Sequence, residues 1–369
     1  MDPPVPDEPL RLHAAALCGS VEVVKELVRR GHDVHAVDKQ GHTALHIAAK
    51  VGSLELVKYL IDLKSDVNAK GNEGTPLQVA ATAGSLDIVK ALVQNGADVN
   101  LPDTNHYTAF HKACLTGDLN VVKFLKDSDA DINSQTNDGR TALHLVAETG
   151  QMEIVRFLIE CGVTLCKPAK DGRTAINRAA IGGQLEVLKY LFANGGRAHQ
   201  RDWLRVAFDI ASSYSGDGGL STARISRDTR TKIMAFVFEN FDLDINSRDF
   251  DGSTIVHGAA KSGQWDMVRD LIRRRANPFV RNRAGKTAWD VAEPNFPADI
   301  MDDFVCEHYG DNLMYRIRCE HPFDPVSGNA ITLCTVKEFF GNGMFARGIG
   351  DTLMEDELFW LHFSKNNVR

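Results

Sequence analysis

From Thr141 the chain reads TALHLVAETG and then QMEIVRFLIECG. The first stretch predicts a short apolar helix that stops at a glycine. In the second, Met152, Ile154, Val155, Leu158 and Ile159 fall on one stripe at helical spacing. Gly162 follows where a helix C-terminus favours a left-handed residue. A polar run, CKPAKDGRT, then turns the chain back to the next threonine.

This unit recurs. Gly19, Gly52, Gly84, Gly117, Gly150 and Gly183 are spaced 33, 32, 33, 33 and 33 residues apart. Thr43, Thr75, Thr108, Thr141 and Thr174 keep the same period, and Thr254 and Thr287 resume it, 33 apart. Two helices of this size cannot bury their apolar faces alone, so neighbouring units must stack.

Thr174 to Thr254 spans 80 residues, which is 33 plus 47, so one unit carries about 14 extra residues. Helices are expected over 203–214 and 230–241. The segment between them, about 215–229, is rich in glycine, serine and polar residues and predicts an exposed loop. That loop reads as a tolerated insertion or as a partner-binding or modification loop.

At this point the sequence resembles the ankyrin-repeat family. TALH at Thr43–His46, GTPLQVA at Gly74–Ala80 and TALH at Thr141–His144 match its TPLHxA signature, and GADVN at Gly96–Asn100 matches its helix-ending tag. The resemblance covers roughly residues 10 to 295. It implies repeats starting near Leu10, Asp38, Lys70, Asp103, Thr136 and Ala169, a divergent one near Arg201, and two more from Asp249 and Asn282. The implied fold is all-α: a solenoid of about nine stacked helix pairs joined by short hairpin loops, with a C-terminal capping extension. The expected domains are a tail over 1–9, the array over 10–300 and an aromatic-rich extension over 301–369. Lys64, Asp129 and Arg275 replace the glycine that ends the second helix, which predicts strained, softer junctions there.

Composition narrows the function. Hydrophobic residues make up 43% and charged residues 25%, and the net charge of −7 argues against a nucleic-acid binder that works through overall charge. The start, MDPPVPDEPL, does not read as a signal peptide. No apolar run approaches the roughly 20 residues of a membrane helix. Seven cysteines, an odd count, read as reduced thiols of a cytoplasmic or nuclear protein.

Chemistry-bearing residues are few. By the resemblance, His13, His46, His111, His144 and His257 are structural, bonding within and between repeats. Cys18, Cys114 and Cys161 are expected in the core. GNGMFA (341–346) has the glycines of a dinucleotide fingerprint, but only 23 residues follow it, too few for a βαβ unit. Cys306-Glu-His308 and Cys319-Glu-His321, with Cys334 beyond, have poor spacing for zinc, and no metal or cofactor is expected. Residues 269–286 carry seven cations against one acid, Asp270. The stretch 290–311 carries seven acids and no Lys or Arg. The extension contains Phe339, Phe340, Phe359, Trp360 and other aromatics, which suits a cap on the last repeat. Its end, DTLMEDELFWLHF, also resembles activation segments and partner-groove helices.

The family implies a concave face that grips proteins. The expected contact residues are Lys39, Gln40, His42, Thr104, Asn105, Tyr107, Arg140, Arg173, Phe250, Ser253 and Lys286, with the aromatics and arginines foremost. Asn100 and Asn133 resemble ankyrin asparagines that are hydroxylated. The expected function is a protein-interaction scaffold or regulatory adaptor, with transcriptional coregulation as its narrower form. Protein partners, a monomer, no direct nucleic acid and no membrane go with it. The alternative is an enzyme or metal protein with its site in 301–369.

Overall fold

The computed structural model describes residues 8–196, 200–212, 225–241, 243–278 and 280–292. The tail and the 301–369 extension, with its C-E-H pairs and proposed cap, lie outside the described residues, as does most of the insertion.

Helices alternate in pairs. They run α1 (Glu8–Leu17) and α2 (Val21–Arg29), α3 (Ala44–Val51) and α4 (Leu54–Asp62), α5 (Pro76–Thr82) and α6 (Leu86–Gln94). Next come α7 (Ala109–Thr116) and α8 (Leu119–Asp127), α9 (Ala142–Thr149) and α10 (Met152–Glu160), α11 (Ala175–Ile181) and α12 (Leu185–Ala193). The divergent pair is α13 (Gln200–Ser212) and α14 (Arg227–Asn240), followed by α15 (Ile255–Lys261), α16 (Trp265–Arg273) and α17 (Ala288–Ala292). The described residues contain no strand, only an isolated bridge between Gly71 and Gly74. They form two compact units. The first holds α1–α12; the second holds α13 from Trp203 onward and α14–α17.

The first helices α3, α5, α7, α9, α11, α15 and α17 each begin at a threonine, because that residue caps the helix in partnership with its third residue. The Thr43 N–H donates to His46 Nδ1 at 3.1 Å, and Thr43 Oγ1 lies 2.9 Å from the same atom. Since Nδ1 accepts, the neutral ring carries its proton on Nε2 and donates it to the Gly74 carbonyl of the next repeat at 3.0 Å. His144 and His257 reach the Arg173 and Lys286 carbonyls at 3.1 Å, and His13 lies 2.7 Å from the His42 carbonyl. Gln78 and Asn177 hold this position with amides: Gln78 Oε1 accepts from the Thr75 N–H at 2.8 Å, and Asn177 Oδ1 from that of Thr174 at 3.0 Å.

In the first unit, first helices pack on first helices from α1 to α11, and second helices on second helices from α2 to α12. Leu45, Leu60, Leu92, Phe110, Leu143 and Ile154 are fully buried between them. In the second unit α15 packs on α16 and α17. There the Trp203 ring stacks on Phe241 at 4.1 Å, and Gln264 Nε2 donates to the Ala211 carbonyl at 2.7 Å.

Lys64, Asp129 and Arg275 adopt φ of 62°, 65° and 68°, the left-handed backbone expected of them. His106 does so too, with φ 60°, at the hairpin position that Gly41, Gly139, Gly172, Gly252 and Gly285 fill elsewhere. Three details differ from expectation. The helix expected over 230–241 begins earlier, at Arg227, with Asp228 favoured in its first turn and tied to Lys232 at 2.5 Å. Cys114 is buried as expected, but Cys18 is exposed and Cys161 half-buried. Both lie at or beyond the end of a helix, outside its packed face.

Candidate protein-interaction surface

The hairpins that join repeats are closed by the first residue of each tip. Asp38 Oδ1 accepts from the Gln40 and His42 N–H groups at 2.8 and 2.9 Å, and Asp103 Oδ1 accepts from those of Asn105 and Tyr107, both at 2.8 Å. Asp249 and Asn282 repeat the device in the second unit. Adjacent tips are then joined backbone to backbone. The Asn72 N–H donates to the Gln40 carbonyl at 2.9 Å, and the Asn137 N–H to that of Asn105 at 3.0 Å. The Arg283 N–H donates to the Asp251 carbonyl at 2.8 Å. The backbone is fixed, and in several tips the middle side chains, such as Lys39, Gln40, Thr104, Asn105 and Phe250, face solvent.

Among the expected contact residues, Lys39, Gln40, Thr104, Asn105, Phe250 and Lys286 are exposed, Phe250 at 93%. Apart from Lys286, the residue just before the capping threonine behaves otherwise, because the closed turn directs its side chain back over the first helix. His42 is 4% exposed and accepts from the Glu73 N–H at 3.4 Å. Arg140 is 7% exposed, with Asp138 at 2.7 Å and Glu148 at 3.1 Å. These two are therefore corrected from solvent-facing contacts to internal ties. Tyr107 is half-buried, with His111 edge-on at 5.8 Å and the Lys112 ammonium 4.8 Å from its ring centre. Burial, with the charge of Asp138 beside it, raises the Tyr107 pKa. Arg173 is half-buried against Asp171 at 3.2 Å, and Ser253 is half-buried beside Asn282 at 3.4 Å.

The first helices add charges that the hairpin reading missed. Lys50 pairs with Glu73 at 2.7 Å and Lys112 with Asp103 at 3.0 Å. Glu148 lies between Arg140 and Arg178, the second at 4.0 Å, and Arg178 also pairs with Asp171. Burial works against the Asp171 carboxylate, yet the Arg173 N–H and the Arg178 and Arg173 guanidiniums hold its pKa below the ordinary value. Burial, then the charge of Arg140, lowers the pKa of Arg178. The signal was present: charges recur four or seven residues after the threonine, inside helices that are otherwise apolar.

Asn100 and Asn133 sit at the base of the hairpins and bridge repeats. Asn100 Nδ2 donates to the Asp129 carbonyl at 3.0 Å while its Oδ1 accepts from the Asp131 N–H at 2.8 Å. Asn133 Oδ1 accepts from the Thr164 N–H at 3.2 Å. Asn68 does the same toward Gly96 and Asp98, and Asn246 toward Asn277, two rungs that the sequence reading did not single out. The signal was their place in the DVNA and DINS runs that echo GADVN.

Residues 12–103, 63–136 and 110–202 match the family described as ankyrin repeats in several copies, and residues 251–283 match the single ankyrin repeat. The first three spans run without a gap over more than half the chain. The chain belongs to the ankyrin-repeat family. Among known proteins, this ankyrin chain is similar to protein phosphatase 1 regulatory subunit 12A of Mus musculus, 28% identical over 93 residues, or 25% of this chain and 9% of that one. The Rattus norvegicus protein of that name is 27% identical over the same length. Alpha-latroinsectotoxin-Lt1a of Latrodectus tredecimguttatus is 26% identical over 101 residues, 25% of this chain and 7% of the toxin. The chain thus spans under a tenth of the length of the curated relatives it matches. No helix among the described residues is long and apolar enough to cross a membrane.

Proposed function

We propose that this ankyrin-repeat chain is a regulatory adaptor that binds a partner protein through its hairpin tips and the adjoining first helices. Ankyrin repeats generally mediate protein–protein interaction, and two of the relatives carry the name of a regulatory subunit. The observation that carries the reading is the division of labour in the hairpins. Hydrogen bonds and buried ion pairs hold the repeats together, while Lys39, Gln40, Thr104, Asn105, Phe250 and Lys286 are left exposed on a backbone that is already fixed. A prearranged surface loses little conformational entropy on binding, which favours affinity. Transcriptional coregulation is one form such an adaptor takes, acting as a monomer in the cytoplasm or nucleus.

The test is affinity capture with mass spectrometry, using the full chain, a tip variant (Lys39→Glu, Gln40→Glu, Asn105→Lys) and Lys58→Glu on the exposed side of α4 as control. The expected result is a small set of proteins held by the chain and by the control but lost from the tip variant. Equal capture by all three overturns the assignment of this surface.

A further inference from the structure

The second unit carries a concentration of unpaired positive charge around its most exposed apolar residue. Phe250 stands at the tip of the hairpin that Asp249 and Ser253 close, N–H to carbonyl at 2.9 Å. The next hairpin, closed between Asn282 and Lys286 at 2.9 Å, lies directly against it. Besides the Arg283 N–H on the Asp251 carbonyl, the Arg283 Cγ would be 3.4 Å from a Cβ at Gly252. Arg281 lies along the same hairpin, its Nη1 donating to the Gly285 carbonyl at 2.6 Å. Arg248 precedes the first tip, and Arg275 ends α16 as the chain turns toward the second.

Arg248, Arg275, Arg281, Arg283 and Lys286 are all exposed, and none forms an ion pair among the described residues. This contrasts with the first unit, where Lys50, Lys112, Arg140 and Arg178 are each matched by a carboxylate. Of the two acids in the first tip, Asp249 has other work: its Oδ1 accepts two N–H groups of its own turn. Hairpin stacking thus leaves a 93% exposed phenylalanine among cations that no carboxylate matches, and of their side chains only Arg281 is bonded within its own hairpin.

We propose that these two hairpins are the docking surface for an acidic peptide segment of a partner protein, one that sets a large apolar residue against Phe250 and carboxylates against Arg283, Lys286 and Arg248. Arginine forks match carboxylates in pairs, and an aromatic at the centre of a charged rim is the usual composition of an interface hot spot. A peptide fits better than a nucleic acid. Asp249 and Asp251 bracket Phe250, and they would repel a continuous phosphate backbone, whereas a peptide can alternate acids with apolar residues and donors. The inference rests on the adaptor reading and names the chemistry of its partner.

The probe is a fluorescein-labelled glutamate-rich peptide with a central leucine–phenylalanine pair, titrated with the full chain and followed by polarisation. Arg248→Glu/Arg283→Glu/Lys286→Glu is expected to weaken binding by about tenfold or more and to flatten its salt dependence. Phe250→Ala is expected to weaken it several-fold with the salt dependence unchanged, and its exposure leaves the fold intact. Binding of the peptide by the triple variant as tightly as by the natural chain overturns the proposal. So does tighter binding of an oligodeoxythymidylate of equal charge than of the peptide. If the peptide does not bind while the tip variant above still loses its partners, the adaptor reading stands and this partner chemistry falls.

Discussion

At the scale of single residues, the capping histidines do structural work that depends on staying neutral. In His46, His111 and His144, Nδ1 faces a threonine N–H, so a proton there would set two donors against each other. Burial is the largest cause of the shift, and each pKa falls from 6.5 to about 4. The folded pKa lies below the unfolded one, so between pH 6.5 and about 4 the unfolded chain binds more protons. The histidine contribution is complete above pH 6.5, declines through that window and is gone below about pH 4. Its size is on the order of 2–3 kcal/mol per histidine. Urea unfolding at a series of pH values should show this loss, and His144→Gln should reduce it, because Gln78 already serves the same position without titrating. An unchanged pH profile for that variant would count against the assignment. Below pH 4 the loss continues as Asp38, Glu73 and Asp171 protonate, since interactions in the fold hold each below its ordinary value.

At the scale of elements, the junction between α9 and α11 is tighter than a consensus reading suggests. A Cβ on Gly182 would stand 2.1 Å from the Glu148 carbonyl oxygen, so Gly182→Ala must push the two helices apart. The expected cost is about 1–3 kcal/mol, read as a lower urea midpoint. The side chain of Glu148 serves the same junction, as the shared counterion of Arg140 and Arg178. Glu148→Ala leaves two nearly buried guanidiniums facing each other, and a loss of about 2 kcal/mol is expected, reduced from the fully buried case by the remaining exposure of Glu148. Conversely, Lys64→Gly and Asp129→Gly relieve left-handed side chains, and each should stabilise by up to about 1 kcal/mol. The threonine and glycine periods made the helix pairs and these left-handed positions legible, because backbone geometry selects residue type directly. The inward turn of His42 and Arg140 was not legible. Their position in a polar hairpin suggests solvent, and only the closed turn and the carboxylates of the same repeat, Asp38 at His42 and Asp138 and Glu148 at Arg140, show where the side chains go. The tight fit at Gly182 was hidden for a similar reason: it depends on the distance between two helices, to which a period in sequence is blind.

At the scale of the whole molecule, a repeat array is stabilised by the sum of its nearest-neighbour contacts, so a weak rung anywhere is a place to open. At α17 the capping ladder changes chemistry. Asp290 holds the position of the histidines and accepts from the Thr287 N–H at 2.8 Å, where an imidazole would also have a ring N–H to donate onward. The asparagine ladder weakens within the first unit. Asn68 and Asn100 each bridge to the next repeat with both halves of the amide, yet the corresponding rung after Asn133 is Cys166, whose thiol reaches the Gly195 carbonyl at 3.7 Å. A thiol is a poor donor and cannot copy the paired bond of an amide. Cys166→Asn should therefore raise stability by about 1 kcal/mol, while Asn100→Ala should lower it by about 1–2 kcal/mol through the loss of two exposed but aligned bonds. The two sites are two rungs apart and share no partner, so their effects should add in the double variant. Hydrogen exchange separates this account from a general change in stability. Asn100→Ala is expected to lower protection first in the repeats on either side of Asp129, and Cys166→Asn to raise it around α12. A uniform change along the first unit in both variants would mean that the rungs do not act locally, and that stacking of the helices alone sets where the array opens.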